Sequence, residues 1–230
     1  MSNKTDPQNR QAVAALHVCN MLYDLNSSSY DEVLPKLEFW IEYVLDEGFT
    51  TTTDLADRVS CVAWEDRGSH SDISRFLREF RDAPHRSEQA RTFVDELCHL
   101  VLRWFSIASA EDVWTNWGEA LVSKRGGPGF MHSALFIGHL IERGLIRHEL
   151  VRRHILKPLT AHYYNETNHK KQAVRAQAIY NLFTTAGNTL LQGLLEPEEV
   201  QDCFKRLDTR VSIGSISAMV QFDPAKLKVR

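Results

Sequence analysis

Apolar residues recur along this chain at three- and four-residue intervals and almost nowhere alternate, so the pattern predicts one helix after another. Gln11 to Leu25 reads as the first helix. The polar break Asn26, Ser27, Ser28 and Ser29 follows, with Ser28 or Ser29 placed to cap the next segment. That segment, Tyr30 to Asp46, carries Val33, Leu37, Trp40, Ile41 and Val44 on its stripe, and Gly48 is placed to end it. Thr53 is read as the cap of a helix through Leu55, Val59, Val62 and Trp64, which the cluster Arg67, Gly68, Ser69 closes. Ser71 or Asp72 then opens a helix containing Ile73, Phe76, Leu77 and Phe80, and Pro84 closes it.

The longest pattern runs from Glu88 to Ile107, with Phe93, Leu97, Leu100, Val101, Trp104 and Phe105 on one side. A further helix is expected from Ser109 to Val122, and Lys124 to Gly129, with its three glycines and a proline, reads as a breaker. Phe130, Ala134, Ile137, Ile141 and Leu145 form the next stripe, with Gly129 before the run and Gly144 one turn from a second helix. Leu150, Val151, Ile155 and Leu159 give the apolar side of the helix after it. Lys170 to Ala186 and Pro197 to Leu207 supply two more. Val211 to Arg230 is ambiguous: Ile213, Ile216, Met219 and Val220 are spaced for a short capping helix, ahead of a loose end. About ten helices of modest length exceed one four-helix core and favour an array of helix pairs. The expected fold is all-α, a HEAT-like right-handed solenoid of stacked antiparallel pairs over residues 10–210. Residues 1–9 are expected to be a flexible terminus, and 211–230 the cap and tail. Repeats of this type diverge down to their apolar skeleton, so the absence of a visible repeat counts only weakly against them.

Composition agrees with a globular chain. At 230 residues, 43% hydrophobic and 25% charged, the sequence can bury a sizeable core, and neither disorder nor a membrane protein is indicated. The polar start MSNKTDPQNR has no apolar secretory core, so a cytoplasmic or nuclear location is expected. Cys19, Cys61, Cys98 and Cys203 lie far apart within apolar helical patterns and read as buried reduced thiols.

Charge adds polarity along the chain. Between Leu22 and Asp66 eleven acidic residues face two basic ones, Lys36 and Arg58, for a net −9. From Lys124 to Arg175 ten basic residues outnumber Glu142, Glu149 and Glu166, for a net +7. A helical stack keeps such blocks apart, so one end is expected to be acidic and the other basic. Arg147, Arg152, Arg153 and Lys157 on one helix, with Lys170, Lys171 and Arg175 on its antiparallel neighbour, have the spacing of a shared ridge for RNA or an acidic partner. Tyr163 and Tyr164 lie between them, placed either to stack on single-stranded bases or to pack in the interhelical seam.

Local catalytic motifs are missing. The chain has no P-loop, no GxSxG elbow, no HExxH and no dinucleotide fingerprint. Asp95 and His99, four apart, have the spacing of a shared ion but also of an ordinary surface pair. His132 and His139 read as packing or surface residues. The GGPGF loop lacks the lysine and hydroxyl residue that complete a phosphate cradle. No cofactor, metal or catalytic residue is assigned, and no enzyme activity is expected.

Several segments, in order, resemble one family. FIGHLIERGLI, residues 136–146, followed by HILKPL, is similar to the phrase FIGELYKLGLL in the middle domain of eukaryotic translation initiation factor 4G. SSSYDEVLPKLEFWIEYVL and DLADRVSCVAWE, within Asn26 to Trp64, resemble the opening of that domain. RTFVDELCHLVL, from Arg91 to Leu102, resembles the helix around its YAELC phrase. AIYNLFTTAGNTL, from Ala178 to Leu190, is similar to LCKLLTTTGKQL, with Leu182, Thr184, Thr185, Gly187 and Leu190 in matching order. The chain departs from the family where DLNSSSYDEV stands for the basic LNKLTPEKF. The resemblance implies a HEAT-type, non-catalytic scaffold or adaptor in mRNA translation or processing that docks a protein partner, often a DEAD-box RNA helicase, and in some members RNA. The alternative is a direct RNA-binding helical module with no helicase partner.

Overall fold

The computed structural model describes residues 7–26, 28–64, 69–111, 127–151, 155, 165, 167 and 169–191. Among them the regular structure is entirely helical. In chain order the elements are α1 (Pro7–Asp24), α2 (Tyr30–Asp46), α3 (Thr52–Val59) continued by the 3-10 segment Ser60–Trp64, α4 (His70–Asp82), α5 (Glu88–Glu111), α6 (Gly127–Glu142), α7 (His148–Val151) and α8 (His169–Leu191).

The ends of these elements show what the chain uses for punctuation. α1 begins at Pro7, a residue suited to the first helical position because its missing N–H would go unpaired there anyway, so three of the nine residues expected to be loose are helical. Between α1 and α2, Asn26 Oδ1 accepts from the backbone N–H groups of Ser28 and Ser29 at 3.0 and 3.2 Å. The Ser29 hydroxyl, expected to cap α2, turns back instead and donates to the Asp24 carbonyl at 2.6 Å, closing α1. α3 is capped by Thr51 rather than Thr53. Thr51 is extended, and its hydroxyl both accepts from the Asp54 N–H at 3.1 Å and donates to the Asp54 carboxylate at 2.8 Å. α4 starts at His70, so Ser71 and Asp72 lie inside its first turn.

Two glycines end helices by the same device. Gly48 has φ +66°; its N–H bonds the Leu45 carbonyl at 3.1 Å, and Phe49 N–H bonds Val44 at 3.0 Å. Gly144 has φ +68°, with its N–H on Ile141 at 2.9 Å and Leu145 N–H on Leu140 at 2.8 Å. Both are Schellman closures, which need a left-handed residue after the last turn. The beginning of α6 departs from expectation. Gly127, Pro128 and Gly129 form its first turn instead of a breaker loop, since a proline at the start of a helix loses no intrahelical bond. α5 runs on to Glu111, taking in the start of the helix expected at Ser109; the rest of that helix lies outside the described residues, as do the elements expected at 197–207 and 211–230.

Packing follows chain order. α1 lies on α2 and α3, α2 on α4 and α5, α3 on α5, α4 on α5, and α6 on α4, α5, the 3-10 segment and α8. One apolar core runs through these layers. Its bulkiest fully buried members include Phe76, Phe80, Phe93, Phe105, Phe130 and Phe136, each worth about 1.5–3 kcal/mol relative to exposure. Phe105 of α5 stacks on Phe130 of α6 with centroids 4.4 Å apart, joining the two halves of the core.

Candidate functional site

The basic ridge expected from sequence is only partly within the described residues. Arg147 sits at the turn between α6 and α7 and is exposed. Lys171 is half-buried on the first turns of α8. Arg175, one helical turn further along the same face, is only 2% exposed, so that face of α8 turns into the core and Arg175 does not present its charge to solvent. The side chain of Lys170 and the residues Arg152, Arg153, Lys157, Tyr163 and Tyr164 lie outside the described residues. Of the apolar side expected for the helix after Gly144, Val151 and Ile155 are buried, Leu150 is exposed instead, and Leu159 is outside the described residues.

Two cations that the charge count did not single out reach this region from α4. Arg78 Nη1 donates to the carbonyls of Arg143 and Gly144 at 3.1 and 3.4 Å, and Arg81 Nη2 donates to Gly144 at 3.4 Å. They satisfy the carbonyls left open at the end of α6 and place positive charge at the negative end of its dipole. Arg78 also pairs with Asp82, and Arg81 with Asp82 at 3.1 Å and Asp95 at 3.8 Å, so these cations serve the fold.

The segments FIGHLIERGLI and AIYNLFTTAGNTL meet at one seam. Gly138 of α6 faces Thr185 of α8 so closely that a Cβ at position 138 would lie 1.6 Å from Thr185 Oγ1. Beside it, Asn181 Nδ2 donates to the Met131 carbonyl at 2.8 Å, and Asn181 Oδ1 accepts from Gln177 Nε2 at 2.9 Å. Thr185 Oγ1 donates to the Asn181 carbonyl at 2.7 Å, which leaves its helix flush against the glycine. These residues therefore specify close packing between α6 and α8.

Asp95 is exposed and faces Arg81, and among the described residues no three His, Cys, Asp or Glu side chains come together as a metal-ligand set. His139 Nδ1 lies 3.5 Å from Glu142; burial holds its pKa below the ordinary imidazole value, and Glu142 only partly offsets that. His132 is half-buried on the same helix. Cys19 and Cys98 are buried thiols, Cys19 donating to the Arg58 carbonyl at 3.7 Å, whereas Cys61 is half-buried with its sulfur 3.3 Å from the Tyr23 hydroxyl. Burial pushes the Cys98 thiol up to about 12, with Asp95 adding to the rise, which favours its protonated form. Cys203 is outside the described residues. No described helix is long and apolar enough to cross a membrane.

At the acidic end, the structure reveals an apolar surface that stripe reading passed over. Val13 and Leu16 on α1 are each 60% exposed, and Phe39 on α2 is 61% exposed. His17 meets Trp40 edge-on at 4.5 Å, and Phe39 stacks on Tyr43 at 5.7 Å, so the two helices present one continuous patch. The pair of aromatics one turn apart, Phe39 and Tyr43, both off the core stripe, was the available signal. Also on α2, Glu38 and Glu42 are gripped by the buried Arg86 guanidinium, which lies over the Phe80 ring at 4.8 Å. Tyr30 donates to Glu79 at 2.6 Å, and Arg75 donates to the other oxygen of that carboxylate at 2.8 Å.

No family model, no curated protein and no solved structure matches the chain.

Proposed function

We propose that the chain is a non-catalytic scaffold, a HEAT-like right-handed solenoid of antiparallel helix pairs, serving mRNA translation or processing by docking a protein partner such as a DEAD-box RNA helicase, and RNA. The observation that carries the reading is the order of packing. Among the described residues, the substantial contacts join elements that are near neighbours in the chain, from α1 on α2 and α3 through to α6 on α8, the order expected of a stack of pairs. A closed bundle would bring the first helix against the last. The resemblance in sequence adds a second support, since its two best phrases lie on facing helices, Gly138 against Thr185.

RNA contact belongs to the basic stretch around Arg147, with Arg152, Arg153, Lys157, Lys170 and Lys171 as its cations and without the buried Arg175. The test has two arms. Sedimentation of the chain with a purified DEAD-box helicase core, with and without an ATP analogue, is expected to give a one-to-one complex, and its absence overturns helicase docking. Fluorescence anisotropy with a mixed-sequence single-stranded RNA across a salt series is expected to show binding that weakens steeply with salt and disappears when Arg152, Arg153, Lys170 and Lys171 become glutamate. RNA binding without helicase binding favours the direct RNA-binding module instead.

A further inference from the structure

We propose that the outer face of α1 and α2 is a docking surface for a basic amphipathic helix of a partner protein. The inference stands apart from the reading of the basic stretch, because it concerns the oppositely charged end of the chain. α1 and α2 are joined by a short turn and pack side by side. Their exposed sides bear Val13 and Leu16 on one helix and Phe39 and Tyr43 on the other, bridged by the contact of the exposed His17 with the half-buried Trp40. Tyr43 reaches on to Phe49, with centroids 5.5 Å apart. Large apolar side chains gathered this way on a polar surface mark an interaction site more than scattered exposure does.

Charge decides the occupant. Asp31 and Glu32 are exposed at the start of α2, and Asp46 and Glu47 are exposed at its end. From Glu32 to Glu47 the helix rises about 22 Å at 1.5 Å per residue, so acids flank the apolar centre at a distance one docked helix of about 15 residues spans. Lys36, the cation on this face of α2, pairs with Glu32 at 2.9 Å and the two offset each other, so Asp31 carries the acidic charge at the start of the helix and Asp46 and Glu47 carry it at the end. A helix with apolar residues at i, i+3, i+4 and i+7 and with Lys or Arg toward both ends meets the patch and its rim together. Phosphate backbones and anionic bilayers are repelled by the same rim. A second copy docked by a two-fold axis would set acids against acids, so charge disfavours it too.

The test uses the full chain and a fluorescein-labelled Leu/Lys amphipathic peptide of about 15 residues, with a Leu/Glu counterpart of the same pattern. The basic peptide is expected to bind and the acidic one not. Leu16→Ser with Phe39→Ser, both exposed and so compatible with folding by circular dichroism, is expected to weaken binding at least tenfold. Asp46→Lys with Glu47→Lys is expected to weaken it independently, and Arg147→Glu to leave it unchanged. Equal binding of the two peptides, no binding, or binding indifferent to Leu16 and Phe39 overturns the proposal. Self-association lost in the Leu16→Ser, Phe39→Ser variant, seen by sedimentation velocity, assigns the surface to a second copy and overturns it as well.

Discussion

At the scale of single residues, the sharpest constraint is the absence of a side chain at Gly138. Adding one methyl brings a carbon to 1.6 Å from Thr185 Oγ1 and 2.7 Å from Thr185 Cβ, so α6 and α8 must move apart. Gly138→Ala is expected to cost about 1–3 kcal/mol in urea denaturation, the range for forcing volume into a packed seam. Thr185→Ala in the same chain is expected to restore part of that loss and not all, because the hydroxyl goes while Cβ stays. Full additivity of the two substitutions would show that the helices do not meet there. The neighbouring His139 predicts a pH dependence. Its folded pKa is lowered by burial and by Arg143, against raising contributions from Glu142 and Asp72. The unfolded chain therefore takes up a proton before the folded one, and stability falls as pH drops through the ordinary imidazole value of 6.5. His139→Gln is expected to make the decline in urea midpoint between pH 7.5 and 5.5 shallower. The depressed Glu79 acts in the same direction at lower pH: its carboxylate is held by Tyr30 and Arg75 against its own desolvation, and that contribution is lost as pH falls through the carboxylate range.

At the scale of elements, helix ends test the geometry most directly. A Cβ on Gly48 meets nothing within 4 Å, so Gly48→Ala isolates the cost of holding a side chain at φ +66°. That cost is expected to be about 1 kcal/mol, read from the urea midpoint. Gly144→Ala carries the same strain and also crowds Arg78 Nη1 at 3.1 Å, disturbing the bonds that close α6. Its loss is therefore expected to be the larger of the two. These ends also show what sequence makes legible. Gly48 and Gly144 could be read as terminators because a single backbone conformation demands glycine there. Thr51 against Thr53 could not be decided, since four consecutive threonines offer the same hydroxyl and only the backbone selects the extended one. Gly127, Pro128 and Gly129 look like a breaker by composition, yet a first helical turn tolerates all three, for its N–H groups are unpaired in any case.

At the scale of the whole molecule, the apolar stripes made the helices of the described residues legible because core burial imposes the 3.6-residue period, whereas surface partners impose none. Arg175 illustrates the limit: a cation in a basic run looks like ligand-binding surface until packing turns its face inward. Phe39 and Tyr43 illustrate the converse, aromatics that composition assigns to a core and the fold leaves outside. The order of packing then predicts how the molecule comes apart. α6 and α8 hold each other, while α1 and α2 pack chiefly on α3, α4 and α5. In a structure held by near neighbours, loosening one seam lowers local stability without dissolving distant layers. Hydrogen exchange of the Gly138→Ala variant under native conditions is therefore expected to accelerate in α6 and α8 and to leave α1 and α2 at wild-type rates. A uniform acceleration through all the helices would instead mean one globally cooperative core, and the solenoid reading would fail with it. Retention of the α1–α2 face in the loosened variant gives the docking test a clean partner, since peptide binding there is expected to survive a perturbation at the α6–α8 seam.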